Sequence, residues 1–123
     1  MTNNRRRNVP LLRTFNVEAG LPSLEQARKL VIEEIRRAKG SGIMVLKVIH
    51  GYGSSGKGGA LCRGLRKSFG LRKKEGAIRD FIPGEDFSIF DDRVLALLER
   101  VPELRGDPDL NETNEGVTVV WLK

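Results

Sequence analysis

The chain has 123 residues, a formal net charge of +6, a hydrophobic fraction of 39% and 31% charged residues, values that fit one soluble globular domain rather than two. Its single cysteine, Cys62, excludes an internal disulfide, and no apolar run approaches the roughly 20 residues that a membrane-spanning helix needs. We therefore expect a cytoplasmic protein without a membrane partner, with the oligomeric state left open.

The basic and acidic residues are separated along the chain. Residues 1–80 carry 18 Lys/Arg and 6 Asp/Glu, whereas residues 81–123 carry 4 Lys/Arg and 10 Asp/Glu. Clustered cations favour a polyanionic partner, because each contact with a phosphate releases counterions. The first part of the chain therefore predicts binding to nucleic acid, either DNA or RNA.

The first third of the chain predicts an arm, a strand and a helix. Residues 1–10 are polar and rich in arginine, which indicates a disordered basic arm before a single domain at 11–123. Leu11 to Val17 is predicted as the first strand. Ser23 and Gln26 have the spacing of a capping box, and the helical spacing of apolar residues then continues to a stop at Gly40.

The middle of the chain predicts an interior strand, a glycine-rich loop and a second helix. Met44 to Ile49 is nearly all apolar, as is typical of a covered strand. After the loop, a helix is predicted from about Ala60 to Phe69, with Gly70 as its stop. Three cations of this helix have the i, i+3, i+4 spacing that predicts one basic stripe: Arg63, Arg66 and Lys67.

Three elements are predicted in the last third. Ala77 to Ile82 forms a short strand, Asp91 to Arg100 an amphipathic helix, and Gly116 to Leu122 a closing strand rich in β-formers. The β-α-β-α-β order, followed by an inserted helix and a last strand, predicts an α/β fold, a two-layer sandwich.

The most informative stretch is the glycine-rich loop. The only histidine, His50, is followed by five glycines and a lysine within residues 51–59. A glycine-rich turn that leads into a helix presents uncovered N–H groups in a concave arrangement suited to phosphate. We therefore predict nucleic-acid contacts at Gly51, Tyr52, Gly53 and Lys57, together with the basic stripe.

Three other interpretations of the loop remain. Gly51-x-Gly53-x-x-Gly56 matches a dinucleotide-binding fingerprint, although the chain lacks the repeated βαβ units of that fold. Gly51 to Lys57 also matches most of a P-loop, but Gly58 stands where a Ser or Thr would hold Mg²⁺. The third interpretation is a plain connection between a strand and a helix.

The residues around His50 resemble a known family. Val48-Ile49-His50-Gly51-Tyr52-Gly53, followed by more glycines and a basic helix, resembles the small MutS-related (Smr) domain, in which an apolar strand runs into a His-Gly-x-Gly motif. The closing strand and the turn Gly20-Leu21-Pro22 are also similar. The resemblance covers about 12–123, except for an acidic segment at about 85–115 that looks like an insertion. It implies a four-stranded mixed sheet with two helices on one face.

The resemblance also implies nucleic-acid binding and, in some members, an endonuclease that nicks DNA or cuts RNA. Family members carry Leu-Asp-x-His at the end of the first strand, where this chain reads Phe15-Asn16-Val17-Glu18. His50 and Glu18 are the candidate catalytic residues, His50 as an acid or base and Glu18 as a replacement base or metal ligand. His50 could equally bind phosphate or make a structural hydrogen bond.

Because the expected set of catalytic partners is incomplete, we predict a nucleic-acid-binding module whose nuclease activity is weak or lost. The alternatives are an active endonuclease that uses His50, and a protein-interaction domain that uses the acidic insertion. We predict no resident metal or cofactor, with a divalent metal only in the case of a nuclease.

Overall fold

The computed structural model describes residues 10–52 and 58–123. The predicted basic arm, apart from Pro10, therefore lies outside the described residues, as do Gly53 and Lys57. The elements follow in the order β1 (Leu12–Asn16), α1 (Leu24–Gly40), β2 (Val45–Ile49), α2 (Gly58–Lys74), β3 (Asp80–Pro83), α3 (Asp92–Arg100) and β4 (Val117–Trp121).

The four strands form one mixed sheet in the order β1-β2-β4-β3. Strand β1 runs parallel to β2, while β4 lies between β2 and β3 and is antiparallel to both. This arrangement confirms the predicted α/β class and the four-stranded mixed sheet. None of the helices in the described ranges is long and apolar enough to cross a membrane.

Helix α1 begins where the sequence predicts. The Gln26 amide donates to Ser23 Oγ at 3.2 Å, and the Ser23 amide donates to Gln26 Oε1 at 2.9 Å. These reciprocal bonds form the predicted capping box and satisfy two donors that the first turn leaves free.

Helix α2 is longer than predicted, because it passes through Gly70 and ends at Lys74. The predicted stop was wrong: a glycine inside a helix costs only about 1 kcal/mol, which the buried neighbour Phe69 offsets by packing into the core. The chain leaves the helix at Gly76, which has a φ of +78°. At this conformation glycine avoids the clash that a Cβ would cause.

Helices α1 and α2 cover one face of the sheet. Gly64 lies against the Leu24 side chain, so the absence of a Cβ lets the two helices approach each other closely. Buried apolar side chains from both helices and the sheet form this core, among them Val31, Ile35, Leu46, Val48, Leu65, Phe69 and Val120.

The acidic insertion covers the opposite face. Alternate residues of the same strands, such as Val45 and Val119, point into a second core with α3 and the turns around it. Insertion residues in this core include Phe87, Val94, Leu97, Leu98, Val101 and Leu104. The sheet and the predicted inserted helix are thus confirmed, and the insertion adds a layer that the two-layer prediction did not contain.

The charge separation in the sequence becomes a difference between the two faces of the sheet. Helix α1 contains five Lys/Arg and three Glu, and α2 contains six Lys/Arg without an acidic residue. On the other face, residues 84–116 carry ten acidic and three basic residues. A polyanion would therefore meet attraction from the helical layer and repulsion from the insertion.

Candidate nucleic-acid interface

The glycine-rich loop begins at the carboxyl end of β2, next to the start of β4. The amides of His50 and Gly51 both donate to the Gly116 carbonyl, each at 3.0 Å. Gly51 has a φ of +75°, and a Cβ built there would overlap the Glu18 carboxylate. The structure thus brings together three of the predicted site residues, His50, Gly51 and Glu18, at one corner of the sheet.

The end of β1 shows what the departure from Leu-Asp-x-His does locally. Asn16 Oδ1 accepts a hydrogen bond of 3.1 Å from the Ala19 amide, which closes the short 3-10 turn Glu18–Gly20. The Val17 amide donates to the Ile49 carbonyl at 3.0 Å and continues the pairing with β2. Asn16 therefore shapes the turn that places the exposed Glu18 side chain beside Gly51.

His50 is fully buried, with 0% of its surface exposed. Its Nδ1 lies 2.8 Å from the Gly51 carbonyl, an acceptor, so we assign the ring proton to Nδ1. Nε2 then accepts from the Thr118 hydroxyl, which is also 2.8 Å away. Burial lowers the pKa of His50 below its ordinary value of 6.5, although the bond to Gly51 opposes this shift.

Of the three roles considered for His50, this geometry agrees with the structural hydrogen bond. Both ring nitrogens are occupied, and the ring is neutral near pH 7. The hydrogen bond from the His50 ring to the Gly51 carbonyl fixes the conformation of Gly51, where the chain enters the loop. Catalysis by His50 and Glu18 stays a prediction.

Arg66 is turned into the protein rather than toward solvent. Its Nε donates to Thr118 Oγ1 at 3.2 Å, and two further nitrogens donate to the Glu85 carboxylate at 2.8 Å each. It also donates to the carbonyls of Glu115 and Val117, at 3.2 and 3.1 Å. The prediction of a continuous basic stripe is thus corrected, because the donors of Arg66 are already engaged within the protein.

Glu85 and Thr118 complete this network and were not among the sequence-predicted residues. Burial alone would raise the pKa of Glu85, but the hydrogen bonds from Arg66 outweigh that effect and hold it below its ordinary value of 4.5. The only sequence signal for Thr118 was a hydroxyl residue within the apolar strand β4. Because Thr118 also bonds His50, the network links the start of the loop to the insertion.

Arg63 and Lys67 stay exposed on α2. The Arg63 guanidinium lies over the first turn of α2, with Nη1 only 3.1 Å from the point where a Cβ of Gly59 would stand. Tyr52 is 56% exposed, and its carbonyl lies 3.8 Å from that same point. Arg63 and the Tyr52 backbone therefore lie at the first turn of α2, and Lys67 is exposed about two turns further along the helix. Nucleic-acid contact by these residues stays a prediction.

Within residues 10–52 and 58–123, no group of three or more His, Cys, Asp or Glu side chains is arranged to hold a metal ion. The prediction that a divalent metal takes part only in the case of a nuclease remains untested.

Comparison with protein-family models and with curated protein sequences gives no match. The structure is similar to the crystal structure of the Smr domain of Thermus thermophilus MutS2, with a TM-score of 0.57 and 20% sequence identity. The likeness covers 90% of this chain and 98% of that one. An identity this low shows the fold alone, and the chain therefore has an Smr-like fold, as its sequence resemblance implied.

Proposed function

We propose that this chain is a nucleic-acid-binding domain that holds phosphates at the N-terminal end of α2 and has little or no nuclease activity. The observation that carries the proposal is the exposure of Arg63 at the first turn of α2 and of Lys67 further along this helix, on the strongly basic layer of the fold. The Smr-like fold supports the same class of partner.

The positive charge of the protein is concentrated on one side of the domain. The helical layer is rich in exposed cations, whereas the acidic insertion lies behind the sheet. A polyanionic strand is therefore drawn to one side of the domain, where it reaches Arg63 and Lys67 before any acidic patch. Contacts with backbone phosphates carry little sequence information, so we expect binding with weak sequence preference.

The proposal of weak cleavage follows from the proton-transfer groups. Hydrolysis of a phosphodiester needs a group within hydrogen-bond reach of the attacking or leaving oxygen. His50 is buried with both nitrogens bonded, and Asn16 carries no charge and caps a turn. Glu18 is the remaining exposed candidate at this corner, and one carboxylate supplies neither a second proton-transfer partner nor phosphate stabilisation.

Binding is tested by fluorescence anisotropy with labelled single-stranded RNA and DNA of about 12 nucleotides, a length within the site sizes of single-strand binders. Affinity should fall steeply as salt rises. In the double variant Arg63→Gln/Lys67→Gln the salt dependence should weaken by about two phosphate contacts. Arg100→Gln, an exposed change on α3, is the matched control and should bind as wild type does. Absence of binding by wild type at low salt would refute the proposal.

Cleavage is tested with wild type and Glu18→Gln on labelled RNA and DNA, in the presence and absence of Mg²⁺ and Mn²⁺. We expect no cutting by either above that of a mock purification. Cleavage by wild type that disappears in Glu18→Gln would establish the endonuclease alternative instead. Glu18 is exposed, so this variant should fold normally, whereas His50→Ala removes a buried side chain.

The second candidate, protein binding by the insertion, has one observation in its favour. Three apolar side chains near the start of α3 are exposed, Ile89 at 42%, Phe90 at 92% and Leu95 at 46%. Deleting the insertion would uncover the second core, so a point variant is the better test. Phe90→Ser should leave the recovery of partners in a pulldown unchanged if the insertion has only a structural role.

A further inference from the structure

A second basic site lies between the helices, near the C-terminal end of α2. The C-terminal halves of α1 and α2 border a partly open cavity of about 300 Å³. Three cations line it, Arg36, Lys39 and Arg72, together with one acid, Glu75. Ile32, Ile35 and Ala77 form its apolar part. The four charged side chains give the cavity a formal charge of +2.

The donors of this cavity are only partly used. Lys39 Nζ donates to the Ala77 carbonyl at 2.8 Å, which leaves two of its three protons for other acceptors. Arg72 Nε lies 3.3 Å from Glu75 Oε1 without the geometry of a hydrogen bond, and this buried N–H has no partner among the described residues. Because a buried donor without a partner is unfavourable, an added acceptor at this place would be stabilised.

The partial negative charges at the C-terminal ends of the two helices repel an anion, but this repulsion is weaker than the attraction from the cationic side chains. Each helix C-terminus carries about half a negative charge, so the two ends together offset about one of the two net positive charges. Their final carbonyls are also partly satisfied by local amides, such as those of Ser41, Gly42, Gly76 and Ala77. The net electrostatic potential in the cavity therefore remains positive.

We propose that this cavity, defined by Arg36, Lys39 and Arg72, is a second phosphate subsite for the strand that contacts the N-terminal end of α2. This inference rests on the proposed function and extends it. Arg63 and Arg72 are nine residues apart, which is about 13 Å along the helix axis and half a turn around it. A strand that contacts both must also pass around α2, so it needs more than the roughly four nucleotides that about 13 Å of one strand holds at B-form spacing. Lys67 and Lys74 are exposed and lie on the side of Arg63, so the strand would follow this row of cations before it turns toward Arg72.

The test compares oligonucleotides of two lengths and two neighbouring arginines. An oligomer of about 12 nucleotides spans both subsites, whereas one of about 4 covers only one of them. Arg36→Gln should weaken binding of the long oligomer about fivefold and lower its salt dependence by about one phosphate contact. Arg37→Gln is the matched control, because Arg37 carries the same charge on the same helix but pairs with Glu33 outside the cavity.

Arg72→Gln provides a second variant, whose thermal unfolding checks that the fold is intact. It should weaken binding of the long oligomer and lower its salt dependence as Arg36→Gln does. Equal weakening by Arg36→Gln and Arg37→Gln would overturn the subsite and leave only a general charge effect. So would an Arg36→Gln effect of the same size on both oligomer lengths. If wild type binds neither length at low salt, the proposed function and the subsite both fall.

Discussion

The guanidinium of Arg66 and the carboxylate of Glu85 form two parallel N–H···O bonds, each 2.8 Å long. Arg66 belongs to the helix that follows the glycine-rich loop, whereas Glu85 stands at the start of the acidic insertion. The same guanidinium donates to the carbonyls of Glu115 and Val117, where the insertion ends. One arginine therefore ties both ends of the insertion to the basic layer.

We predict that Glu85→Gln destabilises the protein by about 2 kcal/mol at pH 7, because it weakens two charge-assisted hydrogen bonds and leaves Arg66 without its counter-charge. Urea unfolding measures the difference. The contribution of Glu85 is present above its unfolded pKa of about 4.5 and is lost as the pH falls through the lower folded value. The difference in unfolding free energy between wild type and Glu85→Gln should therefore decrease below pH 4.5. A difference that stays constant with pH would contradict the pairing of Glu85 with Arg66.

A buried ion cluster fastens the far part of the insertion to β2. Lys47 is 4% exposed; its Nζ lies 2.9 Å from Asp107 Oδ1 and also contacts Asp109. Lys47→Met should cost roughly 3–5 kcal/mol in unfolding free energy, because it leaves two carboxylates without a counter-charge. The triple variant with Asp107→Asn and Asp109→Asn should recover most of that loss.

The matched control for Lys47 is Lys73→Met. Lys73 pairs with Asp80 at 3.0 Å, but its side chain is 51% exposed, so the change should cost less than about 1 kcal/mol. Burial would lower the pKa of Lys47, but the bonds to Asp109 and Asp107 raise it above 10.5. Its contribution is therefore full below pH 10.5 and lost as the pH rises through the folded value. Similar losses for both methionine variants would contradict the buried cluster.

Two glycines give opposite predictions for the same substitution. Gly51→Ala should destabilise the protein by about 1–3 kcal/mol, because the residue has a φ of +75° and its Cβ would meet the Glu18 carboxylate. Gly70→Ala should stabilise it by about 0.5–1 kcal/mol, since Gly70 lies within α2 and a Cβ there would meet nothing within 4 Å. Thermal unfolding of both variants measures these changes in stability. Destabilisation by Gly70→Ala would contradict the continuation of α2 through Gly70.

His50 can be observed directly by nuclear magnetic resonance, because it is the only histidine of the chain. We predict a neutral ring with the proton on Nδ1 and a pKa below 6.5. Its contribution to stability is full above pH 6.5 and is lost as the pH falls toward the folded pKa, because the unfolded chain then binds the proton first. A ring that titrates at or above 6.5 would contradict its burial.

Much of the fold could be read from local patterns. The capping box at Ser23 and Gln26 marked the start of α1, and the apolar run after Met44 marked β2, because these signals depend on neighbours a few residues away. Gly70 misled the prediction of α2, since the small helix penalty of a glycine is overridden by core packing that sequence spacing does not reveal.

The long-range ion pairs could not be predicted in this way. Helical spacing placed Arg66 near Arg63 and Lys67, but whether a cation meets solvent or a carboxylate depends on Glu85, which lies 19 residues away and folds against it. Lys47 interrupts the apolar run of β2 and, two residues from Val45, lies on the same face of the sheet as Val45. Its acidic partners became visible only once the insertion was seen to cover that face.

The most direct test of the central claim is to map the surface that meets nucleic acid. An amide chemical-shift titration with a single-stranded oligomer at low salt should perturb Gly51, Tyr52 and the exposed residues of α1 and α2, while α3 (Asp92–Arg100) stays unchanged. Shifts centred on α3, or no shifts at all, would contradict the account.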